Sequence, residues 1–171
     1  SPSTTFNVTS GDAFELTSNA GITFTNNNSE VTITGANSGI DALNYGTGDL
    51  IISTTGETTG IDYDDGIFAA NYGTGALSIT TTGDTEGYRD GIDAYNNGTD
   101  LTINAAETEG RANGIKATNG DYFNPAGTDL TINAATTTGG TNGIFAANYG
   151  TGALSITTTG KTTGGTGHGI Y

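Results

Sequence analysis

An 18-residue segment, GIFAANYGTGALSITTTG, occurs twice in the chain without a single change, at 66–83 and at 143–160. The Gly-Ile pair that opens it recurs with spacings of 27, 25, 23, 29 and 26 residues, and the pairs begin at Gly39, Gly66, Gly91, Gly114, Gly143 and Gly169. Periods of about 20 to 50 residues are typical of repeat proteins, in which each unit buries its apolar face against its neighbours.

The residues within each unit favour strands over helices. Gly and Thr are poor helix formers, and no unit contains a long run of apolar residues at helical spacing. A period of two is clear instead, because Ile67 and Ala69 would share one face of a strand and Leu77 and Ile79 one face of the next. Two short strands and a third, turn-like side per unit predict one coil of a parallel β-helix, an all-β solenoid.

Equivalent residues of successive coils in such a solenoid stack about 4.8 Å apart. Alignment on Gly-Ile therefore predicts five inward columns. Two columns belong to the first strand: Ile40, Ile67, Ile92, Ile115 and Ile144 with Ile170, and Ala42, Ala69, Ala94, Ala117 and Ala146. Three belong to the other sides: Leu50, Leu77, Leu101, Leu130 and Leu154; Ile52, Ile79, Ile103, Ile132 and Ile156; Thr58, Thr85, Thr108, Thr137 and Thr162.

A sixth column is polar. An Asn follows each repeat Gly by five residues, at Asn26, Asn44, Asn71, Asn96, Asn119 and Asn148. An isolated buried amide is costly, but stacked amides donate to one neighbour and accept from the other. Asn also tolerates the left-handed backbone conformation of a sharp corner. We therefore predict an internal Asn ladder.

The repeat also predicts how the chain is divided. Counting a cruder Gly-Ile pair at Gly21 gives about seven coils of 18–29 residues. Residues 1–38 are less regular and are expected to form capping coils, with Phe6, Phe14 and Phe24 filling the end of the core. Residues 39–171 form regular repeats of the same continuous domain, which we expect to be a fragment of a longer chain. The long segment 119–129 predicts a protruding loop that carries Tyr122, Phe123 and Pro125.

The charge of the chain excludes several classes of partner. The formal net charge is −14, from 18 acidic and 4 basic side chains. Nucleic acids and anionic membranes require basic patches, so neither is expected as a partner. No apolar run approaches the roughly 18 residues of a membrane span, so we expect no membrane insertion by this segment. The acidic surface resists self-association, which favours a monomer.

Few residues are suited to catalysis. The chain has no Cys, and its only His, His168, lies in a Gly-rich return segment where a surface role is expected. The best carboxylate cluster is Asp62, Asp64 and Asp65, with Arg89 at the matching place one coil later. Such a cluster is either a solvated acidic turn with an incidental ion pair, a Ca²⁺ site, or the sugar site of a β-helix polysaccharide lyase or glycosidase. We favour the first reading and predict no catalytic residue, no cofactor and no bound metal.

Aromatic residues recur on the outward faces. They lie after Gly-Ile, at the following turn and in the long loop: Tyr45, Phe68, Tyr72, Phe145, Tyr149, Tyr122 and Phe123. Exposed aromatic residues anchor many interfaces, so these residues are candidates for a binding strip for protein or glycan. The alternative is aromatic stacking that stiffens the wall of the solenoid.

The repeats GIFAANYGTGALSITTTG, NNGTDLTINAAETEG and GTDLTINAATTTGG resemble those in passenger domains of Gram-negative type V autotransporters, particularly the long adhesin-like ones of alphaproteobacteria. The resemblance covers residues 39–171. It implies a right-handed parallel β-helix that is exported through the outer membrane and is secreted or held at the cell surface. It also implies an adhesin or virulence factor whose partner is a host cell-surface protein or glycan. A stalk that presents a binding tip and a secreted ligand of a host receptor are the other readings that remain open.

Overall fold

The computed structural model describes residues 4–123 and 126–171, and this part contains 17 strands. In chain order they are β1 (Thr4–Asn7), β2 (Phe14–Ser18), β3 (Ile22–Asn26), β4 (Val31–Gly35), β5 (Ile40–Asn44), β6 (Leu50–Thr54), β7 (Thr58–Gly60), β8 (Ile67–Asn71), β9 (Leu77–Thr81), β10 (Thr85–Gly87), β11 (Asp90–Asn96), β12 (Leu101–Gly110), β13 (Asn113–Asn119), β14 (Leu130–Gly139), β15 (Asn142–Asn148), β16 (Leu154–Thr158) and β17 (Thr162–Gly164). Among the described residues, no helix is long and apolar enough to cross a membrane.

The strands form a parallel β-solenoid with three faces. The first face is the six-stranded sheet β2-β5-β8-β11-β13-β15. The second face contains β3, β6, β9 and β16, and the third contains β1, β4, β7, β10 and β17. The long strands β12 and β14 run through the corner between these two faces and join them into one eleven-stranded sheet. The third side is therefore a strand, and the expectation of a turn-like side was wrong.

The described residues form six coils, one for each strand of the first face, and not the seven expected. The difference comes from Gly21. Ile22 pairs with Leu50 on the second face, whereas Phe14 is the partner of Ile40 on the first. The Gly-Ile pair at Gly21 thus lies within the first coil and does not open a coil of its own. At about 4.8 Å per coil, the solenoid is roughly 30 Å long.

All five predicted apolar and Thr columns are confirmed by the strand register. The repeat Gly is required because the Thr column packs against it. A Cβ at Gly66 would lie 2.7 Å from the carbonyl oxygen of Gly91 and 2.9 Å from the Thr85 methyl group. The methyl groups of Thr58, Thr85 and Thr162 face Gly39, Gly66 and Gly143 in this way. The buried Oγ1 atoms of the whole column have no hydrogen-bond partner among the described residues: Thr58, Thr85, Thr108, Thr137 and Thr162.

The Asn ladder is confirmed from Asn44 onward. Each side-chain Nδ2 donates to the Oδ1 of the Asn one coil further along, at 2.9 Å from Asn44 to Asn71 and at 2.8 Å from Asn71 to Asn96. The ladder continues through Asn119 to Asn148. The same Nδ2 atoms also donate to a turn carbonyl, such as that of Gly75 at 2.7 Å from Asn71. The ladder therefore closes the corner between the first and second faces.

Asn26 does not belong to this ladder. It lies on the second face, pairs with Thr54 and donates its Nδ2 to the Thr54 hydroxyl at 3.4 Å. Ser18 occupies the position beside Asn44 instead. The ladder Asn residues themselves do not adopt the left-handed backbone conformation, since the described residues with positive φ are Tyr63, Gly11 and Gly120, the last of which follows Asn119. Side-chain hydrogen bonds, and not backbone strain, hold the Asn corner.

A second polar ladder lies at the corner between the third and first faces, on the residue before each repeat Gly. The backbone N–H of Asp90 donates to the Asp65 carboxylate at 3.0 Å, and that of Asn113 donates to the Asp90 carboxylate at 2.8 Å. The N–H of His168 likewise donates to the Asn142 side-chain oxygen at 3.0 Å. The ladder directs carboxylates into a corner of the molecule where other charged side chains gather.

Three aromatic rings cover the first coil, one from each face, as expected. The Phe14 ring lies between those of Phe6 and Phe24, with ring-centre distances of 5.4 Å and 5.0 Å. Strands β2, β3 and β4 pair in register with β5, β6 and β7 of the next coil, so residues 14–38 form the first coil of the solenoid, although many of their side chains differ from the repeated ones.

Candidate functional site

Three tyrosines from successive coils form an exposed stack. The rings of Tyr45 and Tyr72 are nearly parallel, with centres 5.3 Å apart, and the Tyr95 ring follows at 5.5 Å in a tilted orientation. Tyr45 and Tyr72 come from the turn after the Asn ladder, and about half of each side chain is exposed. Because the ladder fixes the turns one above the other, it also fixes the spacing of the rings.

Tyr95 was missed by the sequence reasoning because it does not lie at the turn position, which in its coil is Asn97. It lies on β11, directly before Asn96 of the ladder, where the other coils have Leu43, Ala70 or Thr118. The sequence did contain a signal for Tyr95: it is a large aromatic residue at a position where the other coils have smaller side chains. Burial and a hydrogen bond to Asp121 raise the pKa of Tyr95 to about 12.

The same hydrogen bond joins the stack to the protruding loop. The Tyr95 hydroxyl lies 3.0 Å from Asp121 Oδ2, and Asp121 Oδ1 accepts the backbone N–H of Phe123 at 2.7 Å. Tyr122 and Phe123 pack edge to face at 5.5 Å and are 82% and 93% exposed. Pro125 lies outside the described residues. Two groups of predicted binding residues, the turn tyrosines and the loop aromatics, therefore meet on one side of the solenoid. We call Tyr45, Tyr72, Tyr95, Tyr122 and Phe123 the aromatic surface.

The other aromatic candidates lie apart from this surface. Phe68 is partly buried between Asp41 and Asp93 on the first face. Phe145 is also partly buried and stacks on Tyr171 at 5.3 Å. Tyr149 is as exposed as Tyr72 but makes no ring contact with another described aromatic residue. The predicted aromatic binding residues therefore do not form one continuous strip.

The acidic segment around Asp65 forms a compact charged cluster with the next two coils. Oxygen atoms of Asp65, Asp90 and Asp93 lie within 4.8 Å of one another, and all three residues are buried. The Arg89 guanidinium binds Asp65 through two nitrogens, one of them at 3.0 Å, and reaches Asp93 at 3.3 Å. Arg89 and Lys116 contact the same atom of Asp93, Oδ2, from which Lys116 Nζ lies 2.8 Å away.

Burial is the largest influence on the pKa values of the Asp65 and Asp90 carboxyl groups. It raises the pKa of Asp65 to about 6, although Arg89 acts in the opposite direction, and it also raises the pKa of Asp90. The carboxylates in turn raise the pKa of Arg89. Arg89 and Lys116 are the cationic partners of these carboxylates, and both cationic side chains remain partly exposed. The arrangement is an ion-pair network of buried carboxylates and partly exposed cations that links three coils.

The cluster differs from the predicted Asp62–Asp64–Asp65 group. Asp64 lies 3.9 Å from Arg89 at the edge of the network, and Asp62 is exposed outside it. Asp65 itself has no exposed surface, so a bound sugar would not reach its carboxylate. The three residues that the sequence places together are thus divided among a buried corner, its edge and the open surface.

A second perturbed carboxylate lies on the outer side of the first face. Asp41 pairs in register with Glu15 and Phe68, and its Oδ1 is buried without a hydrogen-bond partner among the described residues. Burial and the neighbouring charges of Asp12, Asp64 and Glu15 raise its pKa to about 6. Protonation of Asp41 would relieve both effects.

Comparisons of the chain with protein-family models, with curated proteins and with solved structures found no match.

Proposed function

We propose that this chain is part of an autotransporter passenger that is secreted or exposed on the surface of a Gram-negative bacterium. In this proposal it acts as an adhesin that binds a host cell-surface protein, glycan or matrix component. The repeats quoted above support the family, and a stiff solenoid suits a protein that must hold a binding surface away from a cell.

The aromatic surface is the observation that carries the proposal. Tyr45, Tyr72, Tyr122 and Phe123 expose large ring areas, yet none of them belongs to the core. Soluble proteins expose few contiguous aromatic clusters without a binding role, and Tyr is enriched among the residues that dominate binding energy. The rings are also held in place before any ligand arrives, through the Asn ladder and Asp121, which lowers the entropy cost of binding.

The test is binding of the purified chain to cultured host cells, matrix proteins and glycan arrays at physiological salt, with and without Ca²⁺. The chain provides a matched pair of substitutions, since Tyr72 and Tyr149 occur in identical 18-residue segments and are equally exposed. Tyr72→Ser should weaken saturable binding, whereas Tyr149→Ser, outside the stack, should leave it nearly unchanged.

The other outcomes separate the competing functions. Equal loss of binding in both variants would contradict a site at the aromatic surface. No binding to any host component would favour the stalk function. Signalling responses of cells to the soluble chain at low concentration, without cell attachment, would favour the receptor-ligand function.

A further inference from the structure

Two groups of acidic residues in this protein have different roles. Members of the first group each accept a backbone N–H from the next coil: Asp12, Asp49, Asp65, Asp90, Asp100 and Asp129. The second group lies along the third face and has no such role. Its members are Glu57, Asp84, Glu86, Glu107 and Glu109, and none of them forms an ion pair with a described residue.

The carboxylates of the second group are stacked on one another. Glu86 pairs in register with Glu109, and the third-face Thr residues that they flank, Thr85 and Thr108, also pair. Like charges directly opposite one another on adjacent strands are destabilising. The fold does not require acidic residues at the positions of Glu86 and Glu109, because Thr59 and Thr138 occupy the equivalent positions in the flanking coils. The acidic residues are therefore confined to one part of the third face.

A groove lies beside these carboxylates. It has a volume of about 450 Å³ and is lined across three successive coils by the carboxylates of Asp62, Glu86 and Glu109 together with Ile61, Tyr88 and Arg111. A smaller recess of about 110 Å³, lined by Glu57, Asp84 and Glu107, continues from Glu86 and Glu109. Because the three coils are stacked along the solenoid axis, the groove runs parallel to that axis.

The groove lining also has an aromatic and an apolar residue, Tyr88 and Ile61. The Tyr88 ring packs between Tyr63, at 4.6 Å between ring centres, and the Arg111 guanidinium, 4.2 Å from its centre. Ile61 and Tyr63 are 48% and 78% exposed. The Tyr88 ring thus already holds one cation against its face, which shows that this lining suits cationic side chains with apolar stems.

We propose that this groove, which we call the acidic groove, binds an extended Lys- or Arg-rich segment of a partner protein. Glu86 and Glu109 pair in register on adjacent coils, about 4.8 Å apart, and side chains at alternate positions of an extended segment are about 7 Å apart. Two basic side chains at alternate positions would therefore reach Glu86 and Glu109, while their stems would lie along Ile61 and Tyr88. A metal ion would use the carboxylates but not Tyr88 and Ile61. The proposal concerns a surface separate from the aromatic surface and holds whether or not that surface binds a host ligand.

The test uses a fluorescein-labelled peptide of alternating Lys and Ser as the probe, and a Glu-Ser peptide as the reference. Fluorescence anisotropy at about 0.15 M salt limits long-range attraction to the net negative charge. Two double variants are compared. The groove pair is Glu86→Gln with Glu109→Gln, and the control pair is Glu15→Gln with Glu30→Gln, which changes the net charge equally at exposed positions elsewhere. The groove pair should weaken binding by about tenfold and the control pair by less than about twofold.

Ile61→Ser provides a variant without a charge change. It should weaken binding of the Lys peptide by about threefold, since the apolar stems of the basic side chains lose the exposed Ile61 side chain as a contact. Circular dichroism and thermal melting check the fold of each variant, and the groove pair should melt no lower than the native chain because it removes like-charge repulsion.

Three results would overturn the proposal. Equal weakening by the groove and control pairs would show diffuse attraction to the acidic surface. Failure of the Lys peptide to bind saturably would show that the groove does not hold such a segment. Stoichiometric Ca²⁺ binding that is lost in the groove pair and displaces the peptide would show a divalent-cation site instead.

Discussion

The Asn ladder predicts a large cost for removing one inner member. Asn71 has no exposed surface and takes part in four hydrogen bonds: it accepts from Asn44 and from the Gly73 N–H, and it donates to Asn96 and to the Gly75 carbonyl. In Asn71→Ala, the Gly73 N–H loses its partner in a buried turn, which costs about 1–3 kcal/mol. Asn44 and Asn96 each lose one bond, at about 0.5–1.5 kcal/mol apiece. The free energy of unfolding should therefore fall by about 2–6 kcal/mol.

Asn133→Ala is the matched control. Asn133 also donates its side-chain nitrogen to an Asn one coil away, Asn104, at 2.9 Å, but this pair is exposed and water replaces the lost bond. Its cost should stay within about 0.5 kcal/mol. Urea unfolding followed by circular dichroism measures both variants. If Asn71→Ala costs no more than Asn133→Ala, the ladder does not stabilise the coil corner and the reasoning fails.

Three further predictions concern the Thr column and the charged corner. Thr85→Val should raise the free energy of unfolding by about 1–2 kcal/mol, because the Thr85 hydroxyl is buried without a hydrogen-bond partner and Val keeps the packing. If urea unfolding gives a lower free energy for Thr85→Val than for the native chain, the hydroxyl has a partner. Arg89→Ala should cost about 1–2 kcal/mol at pH 7, because the Arg89 side chain is 46% exposed and Asp65, with a pKa of about 6, takes up a proton when the guanidinium is removed. The cost should be much smaller at pH 5, where Asp65 is already protonated; Lys116→Ala, which leaves Arg89 beside Asp93, is the milder control. Because the folded-state pKa values of Asp41 and Asp65 are raised to about 6, their contribution to stability is complete below pH 4 and is lost as the pH rises through about 6. The melting temperature should therefore rise between pH 7.5 and pH 5, and a fall over this range would contradict the assigned shifts.

The sequence was sufficient to predict the inward columns because each one repeats a residue type at one place in every coil. Ile40, Ile67 and their successors solve the same packing problem with the same neighbours, so alignment alone predicts the strand register. The error at Gly21 had the same origin. The Gly-Ile pair at Gly21 resembles the start of a coil, but Ile22 lies on the second face. Apolar residues alternate with polar ones on the second face as they do on the first, so the pattern alone does not distinguish the two faces.

The surfaces were harder to predict because they depend on residues that break the repeat. Tyr95 completes the tyrosine stack from a different position. Arg89 and Lys116, both partly exposed, pair with the buried carboxylates of an acidic turn and form an ion-pair network. The acidic groove combines Ile61, Tyr88 and Arg111 from three coils, and no single unit of the sequence contains more than one of them. Such sites depend on differences between coils, whereas the alignment reports what the coils share.

The two identical 18-residue segments occupy the same faces three coils apart, with β8 in the third coil and β15 in the sixth. Their starting points are 77 positions apart, which is a whole number of coils despite unequal coil lengths. Recombination between the two copies in a gene would delete or duplicate complete coils and leave every column in register. The length of the rod can thus change in one genetic step without unfolding it. The segment between the copies, which contains Arg89, Tyr95 and the protruding loop, would be gained or lost as one cassette.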